Sequence, residues 1–174
     1  NGDRAFHIVS PDYRASHLDR LEQAGVDTAA AQEQGQLEVR TWGETYLQDG
    51  HFDQHRMIET LLKMIAPGNA PAGKISRNIA SMSWALEDRP GVNDIVEYEA
   101  RLNQALPVQH DPVVCTYDLS QFDASVVIDI MRTHPMVIIG GILQENPFYV
   151  PAEQILQELE ARKMSGDRQA DVTA

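Results

Sequence analysis

Three residues of this chain are of the types that carry out nucleophilic chemistry. Cys115, Asp118 and His134 could serve as a nucleophile, an orienting carboxylate and a base. A reactive thiolate needs an electropositive and partly exposed setting, whereas Cys115 stands in the apolar run Pro112-Val-Val-Cys-Thr-Tyr. We therefore expect Cys115 to pack as a small buried hydrophobic residue, and the sequence predicts no catalytic residues.

A second cluster has the residue types of a metal site. His51 and His55 would share one face of a helix that covered both, with Asp53 between them. Gly50 instead predicts that His51 lies in the loop before that helix, and no third or fourth ligand is evident nearby. Asp53 fits the N-cap position, because a carboxylate stabilises the positive end of a helix. The sequence predicts no metal site.

The segment Gly68-Asn-Ala-Pro-Ala-Gly-Lys74 has the spacing of a phosphate-binding loop. Such a loop follows a strand, begins a helix and places Ser or Thr after the Lys to hold magnesium. Here a helical pattern precedes the segment, a strand pattern follows it, and Ile75 takes the hydroxyl position. We interpret the segment as a turn-rich linker and predict no cofactor.

His134 lies at a junction between two predicted elements. Pro135 forces the residue before it into an extended conformation, where a helix ends and a strand begins. His134 could cap the helix, since a protonated imidazole interacts favourably with the negative end of the dipole, or it could be a group of a site. The two roles are compatible.

The composition excludes several classes of protein. A formal charge of −12 without clustered Lys and Arg argues against direct nucleic-acid binding. No apolar run approaches the ~20 residues of a membrane span. The first residues lack the order of a secretory signal, and a single Cys suits a reducing compartment, so we expect a cytoplasmic location. The length predicts one domain over residues 1–164 and a loose polar tail over 165–174.

Strand and helix patterns alternate along the chain in the order β-α-β-α-β-α-β-α-β-β-α. This order predicts an α/β fold, with a mainly parallel sheet flanked by helices on both faces. The apolar run 136–143 is typical of a strand buried on both faces. The remaining strands are predicted at 5–9, 37–42, 74–84, 112–117 and 148–150.

Aromatic residues follow several of these strands. Trp42, Tyr46, Trp84 and Tyr117 come at or just after strand ends. In parallel α/β sheets, ligands bind in the crevice outside the carboxyl ends of the strands, and small organic ligands occupy mostly apolar cavities. The pattern favours a ligand pocket at this end, with aromatic cover of the sheet edge as the alternative.

Most of the chain, from about Gly2 to Pro151, resembles the MEDS family of sensory domains from methanogen, methylotroph and dichloromethane-regulator proteins. The resemblance is carried by Tyr46-Leu-Gln-Asp-Gly-His-Phe-Asp, Trp84-Ala-Leu, Tyr98-Glu-Ala-Arg-Leu-Asn, Cys115-Thr-Tyr-Asp, Arg132-Thr-His-Pro and Asn146-Pro. It implies a RecA-like fold, a degenerate P-loop ATPase core related to KaiC, recruited for sensing hydrocarbon derivatives without catalysis. The pocket residues carried over with the motifs are Tyr46, Arg77, Trp84, Tyr98, Glu99, Tyr117, His134 and Asn146.

The resemblance also implies partners, and this chain departs from the family pattern in two respects. The expected partners are a small organic ligand and an effector such as a histidine kinase or transcription regulator, with no membrane contact. Family members usually carry a further strand and helix ahead of this segment, so either the chain is a fragment or another segment completes the sheet, for instance in a homodimer. Ala80 and Ser81 stand where the family often has Gly and an acidic residue. Arg77 and Glu99 could instead form a structural pair.

Two other functions stay open at this point. The first is a nucleotide-binding or hydrolysing RecA-like ATPase, descended from the same core. The second is a protein-binding signalling module that uses the acidic surface and the last helix.

Overall fold

The computed structural model describes residues 3–64, 74–106 and 111–171, with side chains as far as residue 165. The phosphate-loop-like segment 68–74 lies outside the described residues except for Lys74. The chain forms two compact units, each described by itself below. Unit 1 comprises Asn1–Asn93 with Val108–Gln121, and unit 2 comprises Asp94–Pro107 with Phe122–Ala174.

The described residues of unit 1 form a parallel sheet and three α-helices. Its strands lie in the order β2-β1-β3-β4, and every neighbouring pair is parallel. The α/β prediction with a mainly parallel sheet flanked by helices is therefore confirmed. The elements are β1 (Arg4–Val9), α1 (Arg14–Gln23), α2 (Thr28–Glu33), β2 (Leu37–Thr41), α3 (Gln54–Met64), β3 (Ser76–Ser81) and β4 (Val113–Thr116).

Alternation of side chains along β1 gives the sheet two distinct faces. Phe6 and Ile8 are 1% and 2% exposed on one face. On the other face, Ala5 and Val9 join an apolar cluster. The rest of that cluster comes from β2, α1 and α2, through Leu37, Val39, Leu18, Leu21 and Ala31. Helices α1 and α2 therefore cover the Ala5 face.

Local signals explain the start of α3. Asp53 accepts a hydrogen bond from the backbone N–H of Arg56 at 3.0 Å, which confirms the predicted N-cap. The backbone hydrogen bonds of Asp53, first of all that from Arg56, hold the pKa of its carboxyl below the usual value.

The neighbouring Phe52 donates its N–H to the carbonyl of Pro90 at 2.9 Å. That contact brings Gly91 so close that a Cβ there would lie 2.2 Å from the Phe52 carbonyl oxygen.

In unit 2, the part that the structure describes forms three α-helices and a hairpin. Its elements are α4 (Ile95–Ala105), α5 (Ala124–Thr133), β5 (Met136–Ile139), β6 (Ile142–Glu145) and α6 (Ala152–Asp171). Ala100 on α4 is fully buried and packs with Ala152 and Ile155 of α6. Two small alanines let the helices approach closely, and aliphatic residues of both surround this contact. Helix α6 continues to Asp171, past the point where the sequence predicts a tail.

The run 136–143 is not the single buried strand that its composition predicts. It turns back at Gly140 and Gly141, both with positive φ, so that β5 and β6 pair antiparallel. Two residues with positive φ form the turn whose twist matches a hairpin, and glycine adopts that conformation without strain. Residues 148–150, predicted as the pairing strand, are not in a strand.

The part of the chain that the structure describes contains no helix with both the length and the apolar character needed to cross a bilayer.

Candidate functional site

Two of the predicted site residues meet in a buried aromatic cluster of unit 1. The rings of Tyr46 and Trp84 stack with centroids 4.7 Å apart, and Phe52 lies 4.2 Å from Trp84. Tyr46 is 2% exposed and Trp84 is fully buried. Offset aromatic contacts add about 0.5–1.5 kcal/mol each beyond the area they bury. The cluster therefore fixes the loops after β2 and β3 as packed core.

An open cavity of about 420 Å³ lies on the α1–α2 face of the same sheet. Its wall is mainly aliphatic, with four polar residues among the lining side chains. Those lining residues are Asp3, Ala5, His7, Leu21, Val26, Ala31, Gln36, Leu37 and Arg77. Arg77 is thus the predicted site residue that borders this cavity. Asp3 and Gln36 precede β1 and β2, so the cavity extends toward the amino ends of the strands, opposite to the end that the sequence favours.

The charged groups of the cavity neutralise each other. The Arg77 guanidinium lies 2.5 Å from a carboxylate oxygen of Asp3. Asp3 also accepts a hydrogen bond from the N–H of Ile75 at 3.4 Å. The hydrogen bond from Arg77 is the main cause that lowers the pKa of the Asp3 carboxyl. Arg77, predicted as a ligand contact or as a partner of Glu99, is paired with Asp3.

A pair of histidines supplies an uncharged polar group at the cavity wall. Nδ1 of His7 on β1 lies 2.8 Å from Nε2 of His17 on α1. Burial, and then the nearby charge of His17, lowers the pKa of His7 to about 4. Burial also lowers the pKa of His17. Both rings are therefore neutral at pH 7, and one ring donates while the other accepts.

In unit 2, His134 caps the end of α5. Its Nδ1 lies 2.9 Å from the carbonyl oxygen of Ile130 and 2.8 Å from the hydroxyl of Thr133. Its Nε2 lies 3.5 Å from a carboxylate oxygen of Glu99, which is 1% exposed on α4. His134 therefore caps α5, which is one of the two roles that the sequence suggests. Glu99 and His134, both predicted site residues, also lie next to each other. A role for this pair in a ligand site stays a prediction.

Asn146 fixes the base of the hairpin to α5. Its side-chain N–H groups donate to the carbonyls of Met131 and His134 at 2.7 and 2.8 Å. Its side-chain oxygen accepts the N–H of Phe148 at 3.0 Å. All of the polar atoms of the Asn146 side chain therefore serve the local fold, and it is 7% exposed.

The other predicted residues lie in different settings. Tyr98 is fully buried on α4. Tyr117 is half-buried directly after β4. Cys115 is half-buried in β4, whereas the sequence predicts full burial. The reason is that β4 is one of the two edge strands of the sheet, so among the described residues it has a neighbouring strand on one side only.

The cavity depends on residues that sequence reasoning did not select. His7 stands alone among apolar residues of β1, and its partner His17 is ten residues away in another element. Asp3 and Arg77 are more than seventy residues apart. A weak signal exists, because His7 shares the face of Ala5 and Val9 by alternation, but nothing in the spacing shows which helix covers that face.

Comparison with known proteins identifies the family. Residues 1–135 match the family model described as the methanogen/methylotroph, DcmR sensory domain, MEDS. The match spans the four-stranded parallel sheet, the cavity and helices α1 to α5. No curated protein and no solved structure was found to match the chain. The chain belongs to the MEDS family of sensory domains.

Proposed function

We propose that this domain is the signal input of a bacterial or archaeal regulator and that it binds a small organic ligand without catalysis. The cavity between the sheet and helices α1 and α2 carries the proposal. Its volume of about 420 Å³ lies in the range of ~300–1,000 Å³ typical of small-molecule sites. Its largely aliphatic wall with a few polar groups is the usual composition of such sites.

The polar groups of the cavity define the class of ligand. Arg77 and Asp3 neutralise each other, so neither sign of charge on a ligand is favoured. A net charge of −12 further disfavours anions. The neutral His7 side chain can exchange one hydrogen bond with a ligand. The chemistry fits a neutral, mainly apolar molecule with at most one or two hydrogen-bonding groups, such as a hydrocarbon derivative.

The position of the cavity suggests how binding becomes a signal. Ala31 on α2 and Leu21 on α1 line it, and Val26 lies in the connection between these helices. A ligand that fills the cavity contacts both helices and the sheet at once. Binding therefore fixes α1 and α2 against β1 and β2, and an attached effector, such as a histidine kinase or transcription regulator, reads that change.

A pair of matched variants tests the proposal. Dichloromethane, 2-propanol and benzene serve as probes, and thermal unfolding reports binding. A probe at 100 times its Kd adds about 2.7 kcal/mol to the free energy of unfolding. Ala31→Phe fills the cavity and should abolish the shift. Ala29→Phe places the same side chain on the exposed side of α2 and should keep it. Equal shifts in both variants would exclude this cavity as the site.

A further inference from the structure

The β5–β6 hairpin presents aliphatic side chains to solvent. Ile138, Ile139, Ile142 and Leu143 are between 57% and 66% exposed, and Met136 is 44% exposed. Exposed apolar residues on a protein surface are normally scattered singly, and a contiguous patch marks an interaction site. These five lie within eight consecutive residues of one small sheet.

Both faces of the hairpin are apolar. Residues directly opposite in an antiparallel pair point to the same face. Ile138 lies opposite Leu143, and Ile139 lies opposite Ile142, so each face carries one aliphatic pair. A two-stranded hairpin is marginally stable in water on its own. Strands that are apolar on both faces are typical of the inside of a larger sheet.

The outer edge of β6 offers free backbone groups. Asn146 donates its N–H to the carbonyl of Pro135 at 2.9 Å, which identifies this pair as a hydrogen-bonded one. Antiparallel pairs alternate between hydrogen-bonded and non-hydrogen-bonded, so the N–H and C=O of Leu143 point away from β5. Within the described residues this sheet has two strands. Strand β6 also lacks the Lys and Pro residues that normally protect an edge.

We propose that two copies of the chain pair antiparallel along β6, across a two-fold axis at Leu143, to form a four-stranded sheet. A two-fold interface needs a surface that complements itself. An antiparallel edge meets this need, because each outward N–H faces the C=O of the equivalent strand. The aliphatic pairs of the two hairpins then extend each other on both faces.

Charge favours a second copy as the occupant. The chain carries a net charge of −12, whereas the hairpin carries a single charged residue, Glu145 at the end of β6. With the axis at Leu143, Glu145 lies opposite Gly141 of the other copy, so the two carboxylates do not face each other. Two like-charged copies repel each other least through a patch of low charge. The five hairpin side chains expose roughly 100 Å² each, and the pairing covers only the part of this surface that borders the shared edge. The interface is therefore smaller than the ~800 Å² per partner of standard interfaces, and the dimer should dissociate on dilution.

Sedimentation velocity of the whole chain between about 1 and 200 µM tests the pairing, since dimerisation depends on concentration. The wild type should form a dimer. Leu143→Lys places a charge on the edge and should weaken dimerisation at least tenfold. Leu119→Lys changes another exposed leucine, 65% exposed and outside the hairpin, and should dimerise as the wild type does.

A second readout does not depend on an added charge. Leu143→Cys in a Cys115→Ser background places two thiols on the same face at the axis, with their Cα atoms about 5.5 Å apart. A short bismaleimide reagent should link them into a covalent dimer. The proposal is overturned if the wild type stays monomeric, if it grows into open-ended oligomers, or if Leu143→Lys dimerises as tightly as Leu119→Lys. Failure of the cysteine variant to cross-link excludes an axis at Leu143.

Discussion

The neutral His7 side chain makes the stability of the domain depend on pH. Burial lowers the pKa of His7 from an ordinary value of 6.5 to about 4. A histidine whose pKa is lower in the folded state binds fewer protons there than in the unfolded state. The contribution of neutral His7 to the free energy of unfolding is therefore fully present above pH 6.5, and it is lost as the pH falls from 6.5 toward 4.

The size of the loss follows from the same two values. Between pH 7.5 and 5.5, the preference of the unfolded state for the protonated ring lowers the free energy of unfolding by about 1 kcal/mol. At pH 5 the loss reaches about 2 kcal/mol. At lower pH, the protonation of acidic groups with lowered pKa values also reduces the free energy of unfolding. The contribution of His7 is therefore obtained by comparing the wild type with a His7 variant.

Urea unfolding at pH 7.5 and 5.5 measures that difference. His7→Gln keeps a hydrogen-bonding group next to His17 but cannot take up a proton, so its free energy of unfolding should fall by about 1 kcal/mol less than that of the wild type over this interval. His55→Gln replaces an exposed histidine on α3 and should behave as the wild type does. If His7→Gln retains the full acid loss, His7 is not the buried neutral group inferred from its position on β1.

Other variants test individual contacts by the same urea measurement. Gly91→Ala places a Cβ 2.2 Å from the carbonyl oxygen of Phe52 at a φ of +86°, so it should cost at least about 2 kcal/mol; a loss below about 0.5 kcal/mol would contradict the close approach. Asn146→Ala removes the side-chain donor to the carbonyls of Met131 and His134, of which Met131 keeps only the N–H of His134, and should cost about 2 kcal/mol; a neutral effect would show that the hairpin base is held otherwise. Asp53→Ala removes the cap of α3 and should cost about 1 kcal/mol, with no loss expected if water replaces the cap. ATP with magnesium should leave the thermal midpoint unchanged, and an increase would favour the nucleotide-binding alternative.

Periodicity predicts the elements of this fold better than it predicts their pairing. Alternating strands and helices are enough to indicate a parallel sheet, and β1 to β4 form one. The continuous apolar composition of the run 136–143 favours one strand. The signal against it is the pair Gly140-Gly141, because Gly-Gly between two apolar runs is a common two-residue hairpin turn, and both residues adopt positive φ and reverse the chain. The sequence does not indicate that the hairpin side chains are exposed, because the same residues would suit a buried strand.

The candidate cavity shows a different limit of sequence reasoning. Its polar groups, Asp3, His7, Gln36 and Arg77, come from strands β1 and β3 and from the residues before β1 and β2. The register places Ala5 opposite Arg77, and the packing of α1 over β1 brings His17 to His7. Motif reasoning selects Arg77 but otherwise favours aromatic residues after the strands. Tyr46 and Trp84 do meet, but as a closed stack, because ring-to-ring packing is how large aromatics fill a core.

The cavity lies within the segment that matches the family model, and the hairpin follows that segment. The family match ends at residue 135, and the hairpin begins at Met136. The cavity lies inside the matched region, so ligand binding should be shared with other MEDS domains, whereas pairing through β6 should be a property of chains that carry this hairpin. The two properties therefore separate experimentally. Leu143→Lys should weaken dimerisation at least tenfold while the probes still raise the thermal midpoint. Ala31→Phe should abolish the shift of the midpoint and leave dimerisation unchanged. A loss of both properties in either variant would show that the cavity and the hairpin are coupled.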